Sequence, residues 1–357
     1  YVLSNSPRAS IRFSRYTRQF FVCPVEEGEQ GRLTAMLRMV KERKIDVVLA
    51  IDENTIRYLA ENGEELGKYT SIAPLPKAET FDIVSDKWLF SQWLIKNEIR
   101  VPTTILYQTE ASIEKNLSLL TFPVLIKPVK GNGGIGIKFF DDPVSLSAHC
   151  RNHVKPDEYI IQSFVHGYDV GCSILSLDGK IIASTMQKRS INLPMTFSPF
   201  TNIDFFFDSN IYQIAETIIH KLNWSGVAHF DLRYDENENN YTVLEMNPRF
   251  WQSIVGSFYA GVNFPYLSTI AGLKRDLPEV IFKSIYYVNP NTAIKIRFQS
   301  LYRGKSEIRK YDGSKLESHL KDPLPLIFSK FYDIYRHRLK PVFKKLFNKN
   351  PGLNHLK

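Results

Sequence analysis

The chain of 357 residues is long enough for two or three domains, and its hydrophobic fraction of 43% and charged fraction of 23% are ordinary for a globular protein. No apolar run approaches the roughly 18 residues of a membrane span. The three cysteines have no metal-ligand spacing and do not form a disulfide framework, so we expect a reducing, cytoplasmic compartment. The chain starts at Tyr1 without the apolar core of a signal peptide, and we expect its true N-terminus to be missing.

The net charge of +9 is concentrated near the C-terminus. From Leu301 onward there are 14 Lys and Arg against 5 Asp and Glu, whereas residues 1–300 carry 32 of each sign. A nucleic-acid-binding surface is strongly basic, so the neutral body argues against nucleic acid as a partner.

Residues 1–80 predict part of a parallel α/β domain, because apolar runs typical of buried strands alternate with apolar positions at helical spacing. We expect the second helix to end before Gly63, and Pro74 and Pro76 to mark a linker. The predicted elements are a strand at 20–22, a helix at 33–40, a strand at 47–51 and a helix at 56–60.

Residues 81–165 predict a second unit. Asp86 and Lys87 start a helix, and the apolar run Val124, Leu125 and Ile126 is typical of a buried strand. The remaining predicted elements are strands at 104–107, 138–140 and 158–165 and helices at 111–119 and 143–149.

Residues 166–273 predict a third unit that contains two hairpins. Asp178-Gly179 is a strong hairpin turn between strands at 170–177 and 180–186. Residues 190–207 have no clear period and are predicted to form a long loop, while 209–222 show the apolar spacing of an amphipathic helix. The second hairpin pairs 226–234 with 241–246.

The second hairpin carries candidate metal ligands. The period of two in a strand places His229, Asp231 and Arg233 on one face, and the partner strand aligns Glu245 and Asn247. Two carboxylates and an amide oxygen are ligands that Mg²⁺ prefers, usually together with substrate phosphates. We interpret His229 as a packing or hydrogen-bonding residue, because oxygen atoms already supply the ligand set.

Arg249 follows two residues beyond Asn247 and can neutralise charge that develops on a transferred phosphoryl group. The alternative is a solvated acidic face in which Glu245 simply pairs with Arg249.

A glycine-rich loop, the Gly loop, follows the strand that ends in Lys127. Lysine at a strand end beside successive backbone amides suits phosphate. The order of residues is not that of a Walker loop, where the lysine follows the glycines. The glycines of the loop are Gly131, Gly133, Gly134 and Gly136.

The order of these motifs resembles the ATP-grasp superfamily, which includes biotin carboxylase, carbamoyl phosphate synthetase and D-alanine–D-alanine ligase. The resemblance covers roughly 81–273 and depends on five motifs in sequence. They are Asp86-Lys87, FPVLIKP with the Gly loop, YIIQSFVHGYD, GVAHFDL and LEMNPR.

The resemblance implies a site that binds ATP with Mg²⁺ or Mn²⁺. Lys87, Lys127 and the Gly loop match the groups around the phosphates, and Lys188 or Arg189 matches a further basic residue near them. The remaining implied roles are Gln162 and Val165 at the adenine, Asp169 at the ribose, Asp231, Glu245 and Asn247 as metal ligands, and Arg249 near the γ-phosphate. Gln162 and Asp231 depart from the family, which commonly has an acidic residue and a glutamate there.

The resemblance implies an α/β and α+β architecture, with a partial α/β domain over 1–80 and a two-lobed ATP-grasp domain over 81–273 that divides after residue 165. Residues 274–357 fall outside the resemblance and are predicted to form a basic helical extension. The resemblance also implies a ligase that activates a carboxylate as an acyl phosphate and joins it to an amine. A non-catalytic ATP-binding module and a grasp-fold kinase stay open as alternatives, and so does the oligomeric state, with which a homodimer is compatible.

The C-terminal extension contains a basic amphipathic pattern over 324–347. Such a helix either lies on an anionic membrane or an acidic partner, or packs on the body with a solvated basic face.

Overall fold

The computed structural model describes residues 1–23, 28–109, 111, 115–131, 133–190, 202–288 and 321–335. They divide into two compact units, one of 1–44 with 321–335 and one of 45–288. The sequence instead predicted a boundary near residue 80, so that 1–44 and 45–80 would share one domain.

The strands are β1 Val2–Ser4, β2 Phe20–Val22, β3 Val47–Val48, β4 Ser71–Ile72, β5 Thr104–Leu106, β6 Val124–Pro128, β7 Lys138–Phe140, β8 Tyr159–Ser163, β9 Gly167–Leu177, β10 Lys180–Arg189, β11 Asn202–Phe206, β12 Gly226–Asp235, β13 Asn240–Asn247 and β14 Tyr286–Val288. The α-helices are α1 Gly28–Arg43, α2 Glu53–Gly67, α3 Ala78–Ser85, α4 Lys87–Lys96, α5 Pro143–His153, α6 Ser209–Leu222, α7 Ile254–Tyr259, α8 Phe264–Gly272 and α9 Leu324–Ile334, and 3-10 turns lie at Ser10–Phe13 and Leu117–Leu119.

In the first unit, α9 is attached to the Ser10–Phe13 turn. The rings of Phe13 and Phe328 lie 4.3 Å apart, and Asp322 accepts hydrogen bonds from the Ser14 hydroxyl and the Arg15 amide. β1 and β2 of the same unit pair in parallel. α9 also has an exposed side, and its large side chains there are Leu324, Ile327, Phe331 and Tyr335.

In the second unit, an antiparallel four-stranded sheet carries the strand that leads to the Gly loop. Its order is β5-β8-β6-β7, and β6 is central, because it pairs with both β7 and β8. Val124, Leu125 and Ile126 of β6 are buried, as a central strand requires. Lys127 is therefore fixed at the end of a rigid strand.

The larger sheet has six antiparallel strands in the order β13-β12-β9-β10-β11-β14. The hairpin at Asp178-Gly179 and the β12–β13 hairpin are both confirmed. α6 packs against β9 and β10 with the apolar face that its spacing predicts. In this sheet β13 is an edge strand, and β12 lies between β13 and β9.

Segment 45–80 packs closely against β12 of the six-stranded sheet and against α8. β3 and β4 pair in parallel. The two residues that follow β4, Ala73 and Pro74, lie close to Gly272 and Gly226. A Cβ atom on Gly226 of β12 would lie 2.7 Å from the Pro74 carbonyl oxygen, and one on Gly272 of α8 would lie 2.9 Å from the Ala73 Cα. Only glycine permits this approach of the two backbones.

Several elements differ from the predictions. α2 continues through Gly63 to Gly67, because Gly63 is the small residue that faces Ile72. β4 and α3 lie next to the predicted linker and were missed, and β11 occupies the end of the predicted loop. The rest of that loop (191–201), residues 112–114 of the predicted 111–119 helix and residues 336–347 of the basic pattern lie outside the described residues. The end of the predicted 111–119 helix is the 3-10 turn Leu117–Leu119.

Within the described ranges, no helix combines the length and the apolar character needed to cross a membrane.

Candidate active site

A cleft of about 550 Å³ opens between the four-stranded and the six-stranded sheets of the second unit. β6 and β8 contribute Lys127 and Gln162 to its lining, and β12 and β13 contribute Asp231 and Glu245. The residues that the sequence predicted for one site therefore meet, although they come from two different sheets.

The hairpin register brings the two predicted metal carboxylates together. Asp231 is the direct partner of Glu245, and Asn247 is opposite His229. The Asn247 amide nitrogen donates to Asp231 at 2.9 Å and to Glu245 at 3.4 Å. The side chains of Asp231 and Glu245 are 41% and 27% exposed, and that exposed surface faces the cleft.

The two carboxyl groups have opposite pKa shifts. Burial alone would raise the pKa of Asp231, but hydrogen bonding and charge from His229 outweigh it and lower the pKa to about 2. Burial and then the negative charge of Asp231 raise the pKa of Glu245, against the opposing charges of Lys87 and Lys127. The pair is thus an electrostatically unfavourable arrangement that a cation would relieve.

The donor set fits Mg²⁺. Within the described ranges, no cluster of three or more His, Cys, Asp or Glu side chains is suited to a metal ion. Two carboxylates and the amide of Asn247 form a sparse set of oxygen ligands, which is the kind that Mg²⁺ completes with phosphates and water.

Both predicted phosphate lysines point toward the same region. Lys127 is 7% exposed, and its ammonium donates to the Gln162 side-chain oxygen at 2.7 Å. Burial lowers the pKa of Lys127, while the charges of Glu245 and Asp231 raise it. The Lys87 ammonium lies 3.3 Å from Glu245 and donates to the Gly131 carbonyl at 2.8 Å, so it joins the Gly loop to the metal carboxylates.

The Gly loop contributes part of the cleft wall. Gly133 and Gly134 line the cleft, whereas Gly131 contacts Lys87 and Gly136 packs over Pro128. Asn132, within the loop, lies outside the described residues.

The residues predicted at adenine and ribose all line the cleft. Gln162 is oriented by two hydrogen bonds, because its oxygen accepts from Lys127 and its nitrogen donates to Thr104. Val165 follows on the same wall, and Asp169 forms an ion pair with Arg233 at the rim.

Lys188 was the sequence-based choice for a further phosphate cation, but the structure places it on the wrong face of β10. Alternation along the strand turns Gln187 and Arg189 toward the cleft. The Lys188 ammonium instead lies 5.2 Å from the centroid of the Phe206 ring. Arg189, the alternative that the sequence left open, is the basic residue of this strand that lines the cleft.

Arg249 lies beside the metal carboxylates, in a network that the sequence did not reveal. Its Nε donates to Glu53 at 2.8 Å, its Nη1 to the Phe250 carbonyl at 3.1 Å and its Nη2 to the Asn247 oxygen at 3.2 Å. Glu53 is the first residue of α2 and belongs to no motif. Its place in the site depends on a contact with a residue far along the chain, which the sequence alone does not reveal.

His229 is held in place from several sides, in agreement with its interpretation as a packing and hydrogen-bonding residue. One ring nitrogen lies 2.7 Å from the Ser173 hydroxyl, the other 3.4 Å from Asp231, and the ring stacks on Trp251. It thereby orients Asp231.

Comparison with known proteins agrees with this geometry. Residues 84–253 match the family model of the ATP-grasp domain. D-aspartate ligase from Enterococcus faecium (strain Aus0004) is 22% identical over 303 residues, which cover 77% of this chain and 70% of that protein.

Solved structures share the fold. N5-carboxyaminoimidazole synthetase from Staphylococcus aureus, complexed with ADP, is similar with a TM-score of 0.65 at 17% identity, over 88% of this chain and 82% of that one. L-amino acid ligase from Bacillus licheniformis has a TM-score of 0.55 at 20% identity, over 72% of this chain and 63% of that one. The predicted mixed α/β fold with an ATP-grasp core is confirmed.

Proposed function

We propose that this chain, in which residues 84–253 match the ATP-grasp domain, is an ATP-dependent carboxylate–amine ligase. One observation carries the proposal: a buried lysine of one sheet, Lys127, faces two carboxylates of the other sheet, Asp231 and Glu245, across one cleft. Phosphoryl transfer requires this kind of charge neutralisation and positioning more than a covalent catalyst.

ATP would lie with its base along β8, near Gln162 and Val165, and with its ribose near Asp169. Its phosphates would extend toward Lys127, Lys87 and the Gly loop. The buried ammonium of Lys127 has little access to water, so its attraction for a phosphate oxygen is strong.

Asp231, Glu245 and Asn247 would hold Mg²⁺, or Mn²⁺ in its place. The ion would supply positive charge at the phosphates. Because the Asn247 amide nitrogen lies toward both carboxylates, its side chain must turn to offer oxygen.

The proposed reaction has two steps. A substrate carboxylate attacks the γ-phosphorus, which forms an acyl phosphate as the bond to ADP breaks. An amine then attacks the acyl carbon and phosphate leaves. Arg249 and Arg189 supply positive charge near the transferred group, and closure of the cleft would protect the acyl phosphate from water.

We place the carboxylate substrate at the end of the cleft where Arg189, Arg249 and Ser253 lie. Two similar proteins are ligases named for D-aspartate and L-amino acids, so a substrate of amino acid size is the first to test.

A screen for ADP release over a panel of carboxylates and amines with Mg-ATP tests this proposal. Lys127→Ala should lower turnover about 100-fold or more, since it removes a buried cation aimed at developing charge. Lys130→Ala, at an exposed lysine three residues further on, is the matched control and should turn over like the wild type.

The outcomes separate the alternatives. ATP binding without ADP release for any carboxylate–amine pair would indicate a non-catalytic module. A stable phosphorylated product that needs no amine would indicate a kinase. Unchanged turnover in Lys127→Ala would contradict the site itself.

We also propose that the exposed face of α9 contacts an anionic membrane surface. Leu324, Ile327 and Phe331 form an apolar stripe there. Residues 1–23, next to α9 in the same unit, contain four arginines and no acidic residue, so the charge around the stripe complements anionic lipid.

A further inference from the structure

Glu53 reaches the candidate active site from outside the family segment 84–253. It opens α2, and Asp52 fixes the start of that helix by accepting a hydrogen bond from the Thr55 amide at 2.9 Å. The helix start is therefore defined, and the Glu53 carboxylate meets the Nε of Arg249 at 2.8 Å.

The contacts of Arg249 leave two adjacent donors. A guanidinium has five N–H groups, and the three described hydrogen bonds use one on each nitrogen. One N–H group remains on each of Nη1 and Nη2, the two nitrogens whose shared edge forms the fork that can bind a carboxylate or phosphate oxygen pair. Glu53 occupies the Nε side and so determines which way the fork points.

Burial gives this contact more weight than a surface ion pair has. The side chains of Arg249 and Glu53 are 24% and 34% exposed. Arg249 also donates to Asn247, whose amide contacts both metal carboxylates. A rotation of the guanidinium would disturb the anion-binding fork and the Asn247 contact together.

We propose that Glu53 is the positioning residue for Arg249: it holds the guanidinium so that its Nη1–Nη2 edge faces the transferred phosphoryl group. This inference depends on the proposed ligase reaction. It also makes segment 45–80 a part of the active site, although that segment lies outside the family match.

The kinetic test compares Glu53→Gln with Glu79→Gln. Both glutamates lie in the first turn of a helix of the same unit, so both changes remove the same favourable charge from a helix N-terminus. We expect kcat to fall about tenfold or more in Glu53→Gln, because the Arg249 guanidinium would no longer be held toward the charge that develops in the transition state. The KM for ATP should change by less than about twofold. Glu79→Gln should match the wild type.

A second background shows whether Glu53 acts through Arg249. In Arg249→Lys, which lacks the Nε donor, adding Glu53→Gln should change kcat by less than about twofold. The same fall in both backgrounds would overturn the proposal, and so would a wild-type kcat in Glu53→Gln.

A readout without turnover separates this inference from the proposed function. Phenylglyoxal modifies arginine, and peptide mass mapping gives the rate at Arg249. Glu53→Gln should accelerate that modification by about fivefold or more, as expected when a partly buried ion pair is weakened to a hydrogen bond with a neutral amide, and Glu79→Gln should not. Accelerated modification in a chain that releases no ADP would sink the ligase proposal alone; equal rates in all three proteins would sink the positioning role.

Discussion

Lys127 and Lys87 face Asp231 and Glu245 across the cleft, so the site holds two charges of each sign before any substrate binds. Burial makes each charge costly unless it is paired. Burial shifts the pKa of Lys127 and the pKa of Glu245 toward the neutral forms of both groups, and the opposite charges across the cleft offset only part of that shift. ATP and its metal ion bring the same two signs, and can therefore exchange partners with these side chains.

Lys188 and Arg189, at the end of β10, test which basic residue of this strand contributes to the cleft. Arg189→Ala should raise the KM for ATP or lower kcat by about tenfold, since it removes a charged hydrogen-bond donor that lines the cleft. Lys188→Ala, on the opposite face, should change either constant by less than about twofold. Steady-state ADP release measures both, and a larger effect at Lys188 would reverse the assignment.

The meeting of Asp231 and Glu245 could be predicted from sequence, and the contact of Glu53 with Arg249 could not. Strand alternation and a short hairpin loop bring Asp231 and Glu245 together through local geometry alone. Glu53 appears in the sequence as an acidic residue in the first turn of a helix, which a helix dipole explains. Its contact with Arg249 joins positions 196 apart, and only the packed fold determines it.

At the scale of elements, the strands with clear turns or long apolar runs were predicted, and those that depend on distant partners were not. β9 and β10 are joined by Asp178-Gly179, and this turn fixes their register. β11 is paired with β10 and β14, and its polar and aromatic residues have no turn signal before them. Its stability as a strand comes from those neighbours.

Two helix-terminal glycines test the close packing of α8. Gly272→Ala should lower the free energy of unfolding by about 1–3 kcal/mol, because the new Cβ would meet the Ala73 backbone. Gly67→Ala, at the end of α2, meets no atom within 4 Å and should raise it by about 0.4–1 kcal/mol. Urea unfolding of both variants measures the difference; equal effects would argue against the close contact.

The buried thiol of Cys172 in β9 should make stability depend on alkaline pH. Burial raises the pKa of Cys172 from 9.0 to about 12. Above pH 9 the unfolded thiol loses its proton while the folded one keeps it, so the free energy of unfolding falls with pH, by at most about 1.4 kcal/mol per pH unit for this group.

Denaturant unfolding between pH 8 and 10 measures that slope. Cys172→Ala should flatten the decline. For comparison, Cys150→Ala removes a second buried thiol, which lies in the core beside the four-stranded sheet. An unchanged slope in Cys172→Ala would show that this thiol does not cause the decline.

At the scale of the whole chain, the basic charge and the exposed stripe of α9 predict vesicle binding. The intact chain should sediment with phosphatidylglycerol vesicles and not with phosphatidylcholine vesicles, because both apolar insertion and anionic charge are needed. Ile327→Ser with Phe331→Ser should abolish binding, and Ile281→Ser, at an exposed isoleucine of the other unit, should not. No sedimentation of the wild type with anionic vesicles would exclude this role.

Gly226 and Gly272 accept the backbone of residues 73–74 so closely that a side chain at either glycine would collide with it. This contact has a consequence for recombination. If the ATP-grasp domain were exchanged with that of a relative at residue 84, where the family match begins, both glycines would be transferred without residues 73–74, which pack against them. The exchange would also leave Glu53 behind. A functional exchange between relatives therefore needs a cassette that begins before α2.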